Sequence, residues 1–204
     1  MSSGISGILE GIMNRCRVID EDGGREEKAQ RITEDRKSRE FKSTGVPKLI
    51  YGLIGGEGFS PSDIQRDVSR LLDSGALHTI LLGVPGTGKS VAAAVELRER
   101  GGRWVNSVDW CATSDWDQCR APYLRSGLLV VDDVGIEPDK ASYKLGHLVF
   151  HRHAEARQTI YTTNLTRSQL IERYDERVIS RWREGIGESS VVDFKKVLRP
   201  KRGA

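Results

Sequence analysis

"LLGVPGTGKS", residues Leu81 to Ser90, decides how the rest of this chain is read. Gly83, Gly88, Lys89 and Ser90 fit the spacing G-x-x-x-x-G-K-[ST]. The run before it, "HTILLG", is short, apolar and β-branched enough for a buried strand. The run after it, "SVAAAVELRER", is Ala-rich with charges at its far end, as a helix is. Strand, glycine loop and helix in that order form the context in which this motif grips phosphate. Gly86 and Gly88 carry no side chains, so the backbone can curl until several N–H groups point at one phosphate chain. The helix N-terminus behind them adds about half a positive charge. Lys89 is expected to reach the β- and γ-phosphates, and the Ser90 hydroxyl to ligate Mg²⁺. The nucleotide-binding stretch is accordingly Gly83, Val84, Pro85, Gly86, Thr87, Gly88, Lys89, Ser90 and Val91.

The chain has 204 residues, 37% of them hydrophobic, which suits one globular domain with some extra sequence. A domain of this size buries roughly 70% of its unfolded surface and needs no disulfide staples. Cys16, Cys111 and Cys119 lack the C-x₂-C spacing of zinc sites and leave an odd thiol, which fits a reducing cytoplasm. No apolar run approaches the ~20 residues of a membrane span, and no basic-then-apolar signal pattern opens the sequence. The net charge is +3, but the tail "KKVLRPKR" alone supplies Lys195, Lys196, Arg199, Lys201 and Arg202, so the remainder is slightly acidic. Such a tail can touch phosphates or serve only as a solubilising end.

Residues 1–44 read as an N-terminal partner-binding or linker segment, and residues 45–204 as the folded domain with its basic tail. In "ISGILEGIMNRC", Ile5, Ile8, Leu9, Ile12 and Met13 share one helical face, but Gly7 and Gly11 interrupt it. So short a helix is marginal alone and is expected to order against this domain or against a partner. "DEDGGREEKAQRITEDRKSREFK" is dense in charges of both signs and reads as a solvated helix or linker. "STGVPKLIYG" opens the domain. In "SPSDIQRDVSRLLDSG", Ser60 and Pro61 are a start signal and Gly75 a stop. "RWVNS", "GLLVVDD", "QTIYTTN" and "SSVVDF" are the second to fifth strands, with helical patterns such as "KASYKLGHLVFHRHAEAR" between them. Strands alternating with helices argue for a five-stranded parallel sheet covered on both faces.

About 40 residues beyond Lys89, "LLVVDDVG" ends a buried strand in two acids. Asp132 is delivered to the C-terminal edge of the sheet, where ligands sit in open α/β folds, and is placed to hold Mg²⁺ through its water shell. Asp133 is assigned to polarising the attacking water. Asn164, at the end of "YTTN", emerges at the same edge, where its amide suits the γ-phosphate or the water. "YDERVISRWREG" puts Arg177 and Arg181 on one face of a helix, with Arg183 nearby.

This series of P-loop, paired acids, strand-end Asn and arginine helix resembles the AAA+ ATPases. The similarity is to the helicase-loader branch that includes DnaC, DnaI and the transposition helper IstB. It covers roughly residues 45–199 through "GVP", "GVPGTGKS", "VVDDVGIE", "TTN", "ERVISRWRE" and Arg199 in "FKKVLR". The resemblance implies an α/β P-loop NTPase of three αβα layers and an ATP·Mg²⁺ site. It also implies a head-to-tail homo-oligomer and, as partner, a replicative helicase (or a transposase), with single-stranded DNA nearby. Asn164 takes the place of sensor 1, and Arg181 that of an arginine finger inserted into a neighbouring subunit. Arg177 matches the other arginine of that element, and Arg199 the terminal one.

Three departures stand out. Many relatives have Glu where this chain has Asp133. The N-terminal segment lacks a helicase-docking or zinc-binding pattern, and no C-terminal lid domain follows the fifth strand.

The absence of an N-K-x-D guanine-reading motif argues against a small GTPase. His147 and His151 stand one turn apart in "HLVFHRH" but lack the Glu of H-E-x-x-H, so a helix packed on the sheet is expected instead. Trp110 and Trp116 lie between the second and third strands. Three aspartates accompany only two arginines there, which favours burial of the rings over stacking on unpaired bases. An ATP-driven helicase loader, a transposition helper and a nucleotide-gated adaptor with little turnover are the functions left open.

Overall fold

The computed structural model describes residues 26–54, 63–112, 118–183 and 191–193. Chain contacts divide the protein into two units, Met1–Glu40 and Phe41–Ala204. Helix α1 spans 26–42. Its residues 26–40 are exposed almost throughout, as a mixed-charge sequence without an apolar face requires, with i,i+4 pairs such as Arg36–Glu40 at 2.8 Å. The apolar segment around Ile5–Met13 lies outside the described residues, as do Ser60, Pro61, Trp116, Arg199 and the basic tail.

The second unit begins at Phe41 rather than at 45. Phe41 is buried, with its ring 5.5 Å from that of Tyr51. Thr44 is also buried, and its carbonyl accepts the Trp104 N–H at 2.8 Å. The approach to the domain is therefore part of its core, although its composition reads as linker.

Elements follow the sequence pattern closely. Helix α2 (Lys48–Ile54) and α3 (Asp63–Asp73) precede strand β1 (His78–Leu82). Gly75, at φ 86°, closes α3 with its N–H on the Leu72 carbonyl and the Ala76 N–H on that of Leu71, a Schellman stop. Then come α4 (Lys89–Arg100), β2 (Arg103–Asn106), α5 (Ser107–Ala112), α6 (Ala121–Arg125) and β3 (Leu128–Val134). A short 3₁₀ turn (Asp139–Ala141) leads into α7 (Ser142–Ala154), β4 (Gln158–Thr163), α8 (Arg167–Arg173), α9 (Glu176–Arg183) and β5 (Val191–Asp193). Thr166 and Gln169 form a reciprocal capping box at the start of α8. Among the described residues no helix is long and apolar enough to cross a membrane.

All five strands are parallel, in the order β2-β3-β4-β1-β5. Strands buried on both faces need apolar residues in succession, which is why "HTILL" and "LLVV" are continuous rather than alternating. Their period of two sorts these side chains into two cores. Ile80, Leu82, Leu129, Val131 and Tyr161 face Trp110 of α5, Leu145 and Leu148 of α7, and Ile179 of α9. Leu81, Leu128, Val130 and Ile160 face Val68 and Leu72 of α3 and Ala92, Ala93 and Leu97 of α4. The small alanines let α4 lie close on the sheet, and so fix the loop that feeds it. The result is the three-layer αβα sandwich expected.

Candidate functional site

The loop between β1 and α4 owes its shape to two glycines. Gly86 (φ 79°) and Gly88 (φ 94°) take left-handed conformations that a side chain would strain, and Gly88 caps α4. Val84, Pro85 and Gly86 are exposed at the rim, Gly83, Gly88, Ser90 and Val91 half-buried, and Thr87 buried with its hydroxyl on the Val84 carbonyl at 2.9 Å. Lys89 folds back beneath this loop. Its ammonium donates to the Gly83 carbonyl at 2.7 Å, the Val84 carbonyl at 3.0 Å and Asn164 Oδ1 at 2.9 Å. Burial lowers its pKa, while the fields of Asp133 and Asp132 oppose that shift. The loop lysine and the strand-end asparagine, 75 residues apart, thus meet at one point.

Beside them, the Ser90 hydroxyl donates to Asp132 Oδ1 at 2.8 Å, and that oxygen also accepts from Thr162 Oγ1 at 2.5 Å. Burial raises the Asp132 pKa; hydrogen bonds from Thr162 and Ser90 pull it back, the charge of Asp133 raises it further, and Lys89 lowers it. A hydroxyl and a carboxylate in contact are hard oxygen donors. The donor chemistry of the pair, a hydroxyl and a carboxylate side by side, is of the kind that suits Mg²⁺.

The second acid reaches the same edge by a device the sequence does not announce. Successive residues of a regular strand point to opposite faces. Here the register slips: Val131 pairs with Tyr161, but Val134 pairs with Thr163, so Asp132 and Asp133 together oppose Thr162. Asp133 absorbs the extra residue at φ 56°, a conformation uncommon outside glycine. Its N–H donates to Thr162 Oγ1 at 3.0 Å, and its carbonyl accepts from Ser107 Oγ at 2.7 Å. Thr162 and Ser107 thus meet the two acids, contacts that the sequence pattern does not announce. Two threonines before a strand-end asparagine were the available signal, but only the register shows which one meets the acids.

Arg181 and Arg177 belong to α9. Arg181 is half-buried and Arg177 exposed. Between Arg181 and Arg183, Trp182 packs its ring 5.3 Å from both Tyr161 and Tyr174. Trp110 is buried, its indole N–H on the Lys144 carbonyl, and His147 and His151 lie exposed on α7.

A glycine loop between a buried strand and a helix, with carboxylates on β3 and an amide just past the end of β4, defines the P-loop NTPase class. No protein-family model matches the chain, and no curated protein matches it. Among solved structures it is similar to the crystal structure of the DnaC helicase loader, with 20% identity and a TM-score of 0.54 over 72% of this chain and 99% of that one. The DnaI structure gives 18% identity and a TM-score of 0.52 over 78% and 95%. The replication initiator DnaA bound to AMPPCP and single-stranded DNA gives 22% and 0.51 over 73% of this chain, which spans half the length of that protein. At these identities the likeness is one of fold alone, a fold shared with a helicase loader and a replication initiator.

Proposed function

We propose that this chain is an AAA+ ATPase that binds ATP with Mg²⁺ and uses its hydrolysis to load or remodel a replicative helicase on DNA. The observation that carries the reading is the meeting of Lys89 with Asn164 beside the Ser90–Asp132 pair. In this reading the loop N–H groups cradle the phosphates, and Lys89 exchanges loop carbonyls for phosphate oxygens. Ser90, and Asp132 through the ion's water shell, would hold Mg²⁺, which would neutralise phosphate charge. Asp133 polarises the attacking water, and Asn164 orients that water against the γ-phosphate. Arg181 of a neighbouring copy stabilises the charge on the phosphoryl group in flight. The helicase as partner, and single-stranded DNA as a further one, take their support from the likeness in fold to a helicase loader and to an initiator bound to single-stranded DNA.

The test is multiple-turnover phosphate release by the chain and by Lys89→Ala, with and without single-stranded DNA. Release that disappears in Lys89→Ala at unchanged circular dichroism supports an ATPase. Tight ATP binding without turnover supports the nucleotide-gated adaptor instead. Retention of a purified replicative helicase by the ATP-bound chain tests the partner, and retention of a transposase in its place would favour a transposition helper.

A further inference from the structure

Glu137 closes the "VVDDVGIE" stretch and is only 2% exposed. A carboxylate is costly to bury, and replacing a buried ion pair with apolar groups is often neutral or stabilising, so such a pair is weak evidence of a role in stability. What distinguishes Glu137 is which elements it joins. Its Oε2 accepts the Gly135 N–H at 2.8 Å. Gly135 is two residues from Asp133. At φ 104°, a Cβ there would lie 2.4 Å from Leu165 Cδ1, so the turn is seated directly on the neighbour of Asn164. On its other side, Oε1 accepts the Tyr174 hydroxyl and lies 3.5 Å from Arg173 Nε. Arg173 also donates to the Glu137 carbonyl and, at 2.6 Å, to Asp139. Burial, the Glu137 charge and the hydrogen bond all keep the proton on the Tyr174 phenol, so Tyr174 remains the donor. The Tyr174 ring meets Trp182 edge to face at 5.3 Å, and Trp182 is the residue after Arg181.

We infer that Glu137 is a positioning residue that holds the arginine helix α9 in register with the turn carrying Asp133, so that each site's acid turn and the arginine the same chain presents move as one unit. The inference rests on the ATPase reading above. A chain of contacts becomes a coupling only when energies show it, and a double-mutant cycle supplies them. Glu137→Gln and Tyr174→Phe are each made alone and with Arg181→Ala; Tyr174→Phe keeps the ring on Trp182 and loses only the hydroxyl. Affinity for a fluorescent ATP analogue with Mg²⁺ and single-turnover hydrolysis are read separately. Each single variant is expected to bind within about threefold of the unaltered chain and to hydrolyse at least about tenfold slower. With Arg181→Ala present, adding either change should cost less than about a further twofold, because residues acting as a unit are not additive.

Losses that multiply in the Arg181→Ala background overturn the inference, as does full-rate hydrolysis by Tyr174→Phe. If Arg181→Ala itself hydrolyses at the full rate, the arginine assignment falls and the inference with it. If Arg181→Ala is slow and Glu137→Gln multiplies with it, only the inference falls.

Discussion

The Thr162 hydroxyl donates to Asp132 Oδ1 at 2.5 Å, from a strand position with no solvent exposure. Its oxygen also receives the Asp133 N–H, so one side chain orients a carboxylate and pins the bulge that carries the next. Thr162→Val keeps the shape and removes the hydroxyl. It leaves the half-buried Asp133 N–H without its partner, at a cost of up to about 1–3 kcal/mol. Because the missing contact sets the placement of both acids, hydrolysis is expected to fall by about 10²-fold, while Thr162→Ser restores most of it. Steady-state phosphate release with a parallel urea melt checks this; a Val variant of normal activity would show that the bulge holds without Thr162.

The two acids are adjacent in sequence but differ in contacts, and their variants should differ accordingly. Asp132 is bound to Ser90 and Thr162, whereas Asp133 is anchored by its backbone. Asp133→Asn is expected to retain ATP·Mg²⁺ binding and lose turnover. Asp132→Asn should weaken the Mg²⁺ dependence of binding itself. Fluorescent-nucleotide titrations across Mg²⁺ concentration separate them, and identical curves would contradict the division of roles.

A third expectation concerns stability alone. Arg152 is fully buried, and its guanidinium donates to the carbonyls of Tyr123, Leu124, Ser126, Gly127 and Gln158 and to Thr159 Oγ1. Burial lowers its pKa to about 10, so it stays charged at neutral pH and can fill these acceptors. It thereby ties α7 to the segment between α6 and β3. Arg152→Met leaves several buried carbonyls without a donor and should cost at least about 1–3 kcal/mol, the cost of one such orphaned group. A loss under about 1 kcal/mol by urea denaturation would mean that water or a rearranged neighbour takes over the carbonyls.

Much of this fold can be read from local chemistry. The strands "HTILL", "LLVV" and "QTIYTT" are apolar or β-branched runs of strand length, and "GVPGTGKS" fixes what lies between the first strand and its helix. That Asn164 reaches the edge holding the acids follows from the rule that parallel strands deliver their C-terminal ends to one edge. Its contact with Lys89 is visible only in the structure. The bulge did not follow. "VVDDVG" reads as a regular strand whose two acids face opposite sides, and only pairing with β4 puts both opposite Thr162. Glu137 and Phe41 escaped for a related reason. A lone acid after a strand and a lone aromatic in a charged run both look solvated, and their burial depends on α8 and on α2 and β2, which are brought in by the tertiary fold.

The head-to-tail reading of Arg181 has the most direct test. An arginine finger is worth about 10³–10⁵ in rate where it has been measured. Arg181→Ala and Asp133→Asn should each bind ATP and hydrolyse it poorly. Mixed, they should rescue each other, because an Arg181→Ala chain retains Asp133 and can receive Arg181 from an Asp133→Asn neighbour. In equal mixtures about a quarter of interfaces would be complete for a heterologous assembly. The measurement is ATPase rate against mixing ratio, with single-stranded DNA present and oligomers confirmed by light scattering. A maximum near equal proportions, reaching about a quarter of the unaltered rate, is the expected result. A rate that never exceeds the weighted mean of the two variants, in assemblies shown to form, would contradict a finger supplied in trans.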